Sequence, residues 1–102
     1  MHTPPISKDS DTDRLLDIVI WNLTRFFGYD NGAAVGLVRS WYPNRDDDFY
    51  HHEGAFRSAA FIHYSTTQDG SRNFFEWFRA QHFDEAEREA LEHYRGHYFQ
   101  KH

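Results

Sequence analysis

Proline and β-branched residues nearly disappear after residue 38, and this distribution constrains the fold more than any other feature of the sequence. Pro43 is the only proline beyond position 5, and the only β-branched residues beyond position 38 are Ile62, Thr66 and Thr67. Strands favour β-branched residues, whereas proline is the strongest helix breaker. The sequence therefore predicts that the second half of the chain is helical.

Apolar periodicity extends this prediction to the first half. At 100° per residue, one stripe of seven apolar residues indicates a helix that begins at Asp11 or Thr12 and ends before Gly28. A shorter helix follows the turn at 28–32 and stops at Pro43. The two predicted inward faces are Leu15, Leu16, Val19, Ile20, Leu23, Phe26 and Phe27 on the first helix, and Ala34, Leu37, Val38 and Trp41 on the second.

Three more helices are predicted in the second half. The acidic run 46–48 suits the N-terminal turn of a helix that is expected to run from about Phe49 or Glu53 to Tyr64, and a polar turn follows at 65–70. Ser71 is expected to cap a fourth helix that ends near His82, and Asp84 a fifth. Their expected inward residues are Phe74, Phe75 and Phe78, then Phe83, Ala86, Ala90, Leu91, Tyr94 and Tyr98.

Aromatic residues make up 19% of the chain, so rings are expected to supply much of the buried volume. The predicted fold is all-α, a compact bundle of about five short helices with an aromatic-rich core. Residues 1–10 are polar, contain Pro4 and Pro5, and are predicted to be a disordered lead-in. Residues 11–102 are predicted to form a single helical domain.

Composition excludes several classes of function. The chain has no cysteine, which removes disulfides, thiolate metal sites and thiol catalysis. Sixteen acidic residues against eleven basic ones give a net charge of −5, which disfavours direct nucleic-acid binding. The beginning of the chain lacks an apolar signal segment and no apolar run is long enough for a bilayer, so a cytoplasmic location without membrane contact is expected.

Histidines offer one hypothesis about chemistry. His51, His52 and Glu53 are adjacent, and His93 and His97 have the four-residue helical spacing that lets two imidazoles meet one ion. These five residues could form a divalent transition-metal site or an enzyme site if their helices pack together. The competing interpretation makes His52 and His63 hydrogen-bonded core residues and leaves His93 and His97 on a solvated flank.

The first helix offers a second hypothesis. Arg14, Ile18, Trp21 and Arg25 fall in a sector opposite the core stripe, and exposed tryptophan beside arginine is typical of interface hot spots. The alternative is that the first helix is buried on both sides. No nucleophile or phosphate-loop motif is present, which favours a non-enzymatic module of the immunity, antitoxin or regulatory type. Such a module would dock on another protein, with a basic partner or a homodimer as variants.

Overall fold

Five α-helices make up most of the described chain. The computed structural model describes residues 6–44, 46–67 and 73–98, excepting the side chains of Asn44, His97 and Tyr98. Within these residues there is no strand, and no helix is long and apolar enough to cross a bilayer. The predicted all-α class is confirmed. The helices are α1 Ser10–Phe26, α2 Asn31–Trp41, α3 Asp47–Thr67, α4 Phe74–Ala80 and α5 Asp84–Tyr98, with a 3-10 turn at Tyr42–Asn44.

Helix α1 is the centre of the bundle, and α2, α3 and α5 all pack against it. Its start is capped by Asp9, whose carboxylate accepts a hydrogen bond from the Thr12 amide, two or three residues before the predicted start at Asp11 or Thr12. It ends at Phe26, before Gly28 as expected, and the φ of 82° at Gly28 favours glycine. The five aliphatic residues of the predicted stripe are buried, and Phe26 and Phe27 are half-buried.

Helix α3 is broken in the middle. Asp46 caps its first turn by accepting the amide hydrogen of Phe49, and the helical backbone is interrupted at Gly54, where φ is 84° and ψ is 166°. After the break the buried residues follow a helical period; they are Ala55, Phe56, Ser58, Ala59, Ala60, Ile62 and Tyr64. The helix runs three residues past the predicted end at Tyr64, and positions 68–70 of the predicted turn lie outside the described residues.

Aromatic rings pack together where α3, α4 and α5 meet. Asn73 caps α4 by accepting the Phe75 amide, while Ser71, the predicted cap, lies outside the described residues. Two predictions for inward residues are wrong, since Phe75 is 55% exposed and Leu91 is 48% exposed. Trp77 is buried in place of Phe75. The cluster consists of Phe56, Ala60, Tyr64, Trp77, Phe78 and Ala90, with Phe26, Phe27, Phe74, Phe83 and Ala86 at its edge.

The segment before α1 packs against the helices. Ile6 contacts the main core, and Ser7 is buried. Asp13 accepts hydrogen bonds from the backbone amides of both residues, at 2.7 and 3.3 Å. Residues 6–9, which fall within the predicted lead-in, are thus held by α1. Residues 1–5 of the predicted lead-in lie outside the described residues.

Candidate functional site

The sector of α1 that holds Arg14, Ile18, Trp21 and Arg25 is not the open surface that the sequence predicts. Ile18 is only 4% exposed, and Trp21 is half-buried. Helix α5 packs on this side of α1, so the alternative in which α1 is buried on both sides describes the structure. Arg14 and Arg25 are exposed at the two ends of the sector.

Trp21 and Arg25 make intramolecular contacts with α5. The indole of Trp21 stacks on the imidazole of His93, with ring centroids 3.6 Å apart and planes 4° from parallel. One turn further, the Arg25 guanidinium donates to both carboxylate oxygens of Glu89, at 2.7 and 3.2 Å. These contacts join α1 to α5, so Trp21 is a packing residue in this structure rather than a free anchor.

The segment 51–53 places its three side chains in different surroundings. His52 is exposed, so the prediction that it is a core histidine is wrong. In an uninterrupted helix His52 would share a face with Phe56 and Ala59, but the break at Gly54 resets the helical phase. Glu53 is half-buried beside the break.

His51 is hydrogen-bonded to the first turn of α1. The Thr12 hydroxyl has one hydrogen and donates it to Asp9 Oδ2 at 2.8 Å. The Nε2 atom of His51, 2.9 Å from the Thr12 oxygen, must therefore carry a hydrogen and donate. The bonds from Thr12 lower the pKa of Asp9. This set of contacts fixes the tautomer of His51 and ties α3 to α1.

The predicted metal ligands are not brought together. His51 contacts Thr12 and His93 contacts Trp21, and these two α1 residues are nine positions, or about 13 Å, apart along the helix axis. Two imidazoles that share one zinc ion are each about 2 Å from the metal, a much shorter distance than the separation of these two contacts along α1. Among the described residues no three His, Asp or Glu side chains could hold a metal ion, and the side chain of His97 is not among those described.

His63 is a half-buried histidine with a hydrogen-bond partner, as the competing interpretation predicts. Its Nδ1 lies 2.9 Å from the Tyr29 hydroxyl, and its ring packs 4.8 Å from that of Phe27. Burial lowers the pKa of His63 and raises the pKa of Tyr29. Both shifts keep the two groups uncharged near neutral pH, so this is a hydrogen bond between a neutral phenol and a neutral imidazole.

A polar cluster at the start of α3 was not anticipated from the sequence. The Tyr42 hydroxyl donates to Asp47, and Ser7 Oγ donates to the other carboxylate oxygen of Asp47 at 3.3 Å. The bond to Asp47 raises the pKa of Tyr42. Tyr42 and Asp47 are five residues apart, but Ser7 is distant from both in sequence, so only the fold brings it to them. The cluster holds the segment before α1 against α3.

An apolar groove lies between α3 and α5, and we call it the α3–α5 groove. Its volume is about 590 Å³, and it opens beside the break at Gly54. Leu91, with nearly half of its side chain exposed, belongs to its lining, and charged residues from both helices border it. Its lining residues are Glu53, Gly54, Ala55, Phe56, Arg57, Asp84, Glu87, Arg88, Ala90, Leu91 and Tyr94.

Comparison of the chain with protein-family models, with curated proteins and with solved structures gives no significant match. The geometry of the described residues is therefore the basis for a functional proposal. Within it, the α3–α5 groove combines exposed apolar surface with charged surroundings, which is the combination expected of a docking surface.

Proposed function

We propose that this chain is a protein-binding module that docks on a partner protein through the α3–α5 groove. The observation that carries the proposal is the exposure of Leu91 in the lining of an apolar groove bordered by charged residues. A groove with an apolar centre and a charged border has the organisation of a protein interface, in which burial of the apolar centre contributes most. The proposal keeps the docking function that was predicted from the sequence. It assigns the docking surface to the α3–α5 groove instead of the sector of α1 that holds Trp21.

The lining of the groove favours an apolar anchor on the partner. Ala55, Phe56 and Ala90 are buried and supply apolar groups, while Leu91 and Tyr94 remain partly accessible. An aliphatic or aromatic side chain of the partner, placed among these residues, would be removed from water and would contact apolar groups of the lining. A net charge of −5 would in addition speed the approach of a partner with a basic surface.

Two aspartate substitutions test this proposal. Leu91→Asp places a charge in the groove, and Phe75→Asp places the same charge at another large exposed apolar residue, on α4 and outside the groove lining. Tagged wild type and both variants are used as bait in cells of the native organism, and captured proteins are quantified by mass spectrometry. A captured untagged copy of this chain counts as a partner.

The expected result is a stoichiometric partner that is captured by the wild type and by Phe75→Asp, and lost with Leu91→Asp. Circular dichroism of the three purified proteins confirms that they remain helical. Equal capture by all three proteins, or the absence of any stoichiometric partner, would contradict docking through the groove.

A further inference from the structure

We infer that the occupant of the α3–α5 groove is a second copy of this chain, with the two α5 helices antiparallel and crossing at Leu91. This inference rests on the proposed docking function and names its partner. The observation behind it is the order of side chains along α5, in which an acid and a base lie at equal distances on either side of Leu91.

The register follows from helical geometry. Glu87, Leu91 and Arg95 are spaced by four residues, so they lie in one row with steps of about 6 Å along the axis. A two-fold axis through Leu91 places residue 91 against itself and position 87 of one copy against position 95 of the other. Each Glu87 then faces the Arg95 of the other copy, which gives two identical ion pairs on either side of an apolar contact.

The groove supplies the volume that this arrangement needs. In the antiparallel arrangement Leu91 of each copy lies over the groove of the other, whose lining includes Ala55, Phe56 and Ala90. Arg95 is exposed, and the nearest approach of Glu87 to Arg57 in its own copy is 4.0 Å, at the limit of an ion pair. Glu87 is therefore not held tightly by its own chain.

The charge of the whole chain does not oppose this pairing at short range. Two copies with a net charge of −5 repel one another, but at physiological ionic strength the repulsion is screened beyond about 8 Å. Contacts near Leu91 are closer than this, and there each Glu87 faces the Arg95 of the other copy. The order Glu87, Leu91, Arg95 along α5 is therefore self-complementary in an antiparallel pair, which favours a second copy as the occupant.

The experiment uses charge reversal and mixing. The molar mass of the purified full chain is measured by sedimentation equilibrium from 1 to 500 µM for the wild type, Glu87→Arg, Arg95→Glu, and an equimolar mixture of the two variants. We expect a reversible wild-type dimer and at least about a tenfold weaker self-association of each variant, because both symmetric pairs become repulsive. In the mixture a heterodimer is expected, since every pair across the interface is again opposite in charge.

Charge reversals on α4 are the matched control. Glu76→Arg and Arg79→Glu alter exposed residues that do not line the groove, and they should leave the dimer unchanged. Circular dichroism verifies that all variants are folded, and the mixture remains informative even if one variant is less stable. A mixture that stays monomeric while the wild type dimerises would overturn the antiparallel register.

The results also separate this inference from the proposed function. A wild type that remains monomeric at 500 µM, together with a different protein captured in a Leu91-dependent way, overturns the second copy and leaves the docking function standing. A wild-type dimer that persists in Leu91→Asp, with no Leu91-dependent capture, overturns both.

Discussion

Replacing Gly54 with alanine tests whether α3 is broken where the structure places the break. The backbone of Gly54 has φ of 84° and ψ of 166°, a region that is open essentially to glycine alone. A Cβ atom built at this position meets no other atom within 4 Å, so any cost of the substitution comes from the backbone and not from crowding. Gly36 in α2 is the matched control, because its Cβ would also meet nothing within 4 Å and its backbone is helical.

The two substitutions are expected to change stability in opposite directions. Gly36→Ala should stabilise the protein by about 0.5–1 kcal/mol, the usual gain for alanine in a helix. Gly54→Ala should destabilise it by about 1–3 kcal/mol, the cost of holding a residue with a side chain in a sparsely populated backbone region. The free energies of unfolding should thus differ by about 1.5–4 kcal/mol. At about 4 °C or more per kcal/mol for a domain of this size, the Tm values should differ by at least about 6 °C.

Thermal and guanidinium unfolding, followed by circular dichroism, measure this difference. Guanidinium titrations give the free energy of unfolding. They also show whether the slope of this free energy against guanidinium concentration is the same in the wild type and the two variants. A Gly54→Ala variant as stable as Gly36→Ala would refute the reasoning. It would mean that α3 accepts a continuous helical backbone at position 54, and the α3–α5 groove beside the break would then have a different shape.

Three further predictions concern the interior. Because burial lowers the pKa of His63, the unfolded chain binds more protons between about pH 6.5 and the folded pKa, and stability should fall as the pH decreases through that window. His63→Gln should reduce this slope in guanidinium unfolding, and equal slopes would contradict the assignment. Ser58→Ala should raise the free energy of unfolding by about 1 kcal/mol, because the buried Ser58 hydroxyl has no hydrogen-bond partner among the described residues. A loss of stability would instead reveal a partner for that hydroxyl. Trp21→Ala should cost about 2 kcal/mol through lost packing on His93, whereas Arg25→Ala should cost at most about 1 kcal/mol, because its ion pair with Glu89 is exposed. A Trp21→Ala variant of unchanged stability would show that α5 does not cover Trp21 in solution.

Local signals in the sequence predicted the helices and several of their ends. The apolar stripe of α1 identified its buried face, and Gly28 and Pro43 identified where α1 and α2 stop. Asp46 belongs to the acidic run that was expected to start α3. Such features act within one or two turns of helix, so periodicity, caps and breakers suffice to recognise them.

The sequence did not reveal the break in α3, because a single glycine inside a helical pattern is compatible with a continuous helix. His52 was therefore assigned to the core, whereas the change of phase at Gly54 exposes it. Leu91 was also predicted to face inward, because its spacing along α5 is that of a core residue, but it is exposed. Whether a periodic apolar residue is covered depends on which neighbouring helix packs over it, and helical spacing alone does not contain that information.

Tertiary structure also decided the environment of the candidate site. From the sequence, Ile18 and Trp21 had the spacing of an outer face, yet α5 packs on that face and His93 stacks on Trp21. Ser7 meets Tyr42 and Asp47 only because the segment before α1 folds back on the start of α3. The sequence by itself therefore determined where helices form, because helix formation is governed by interactions between residues a few positions apart. The burial of the second face of α1, and the α3–α5 groove, were decided by packing between helices distant in sequence.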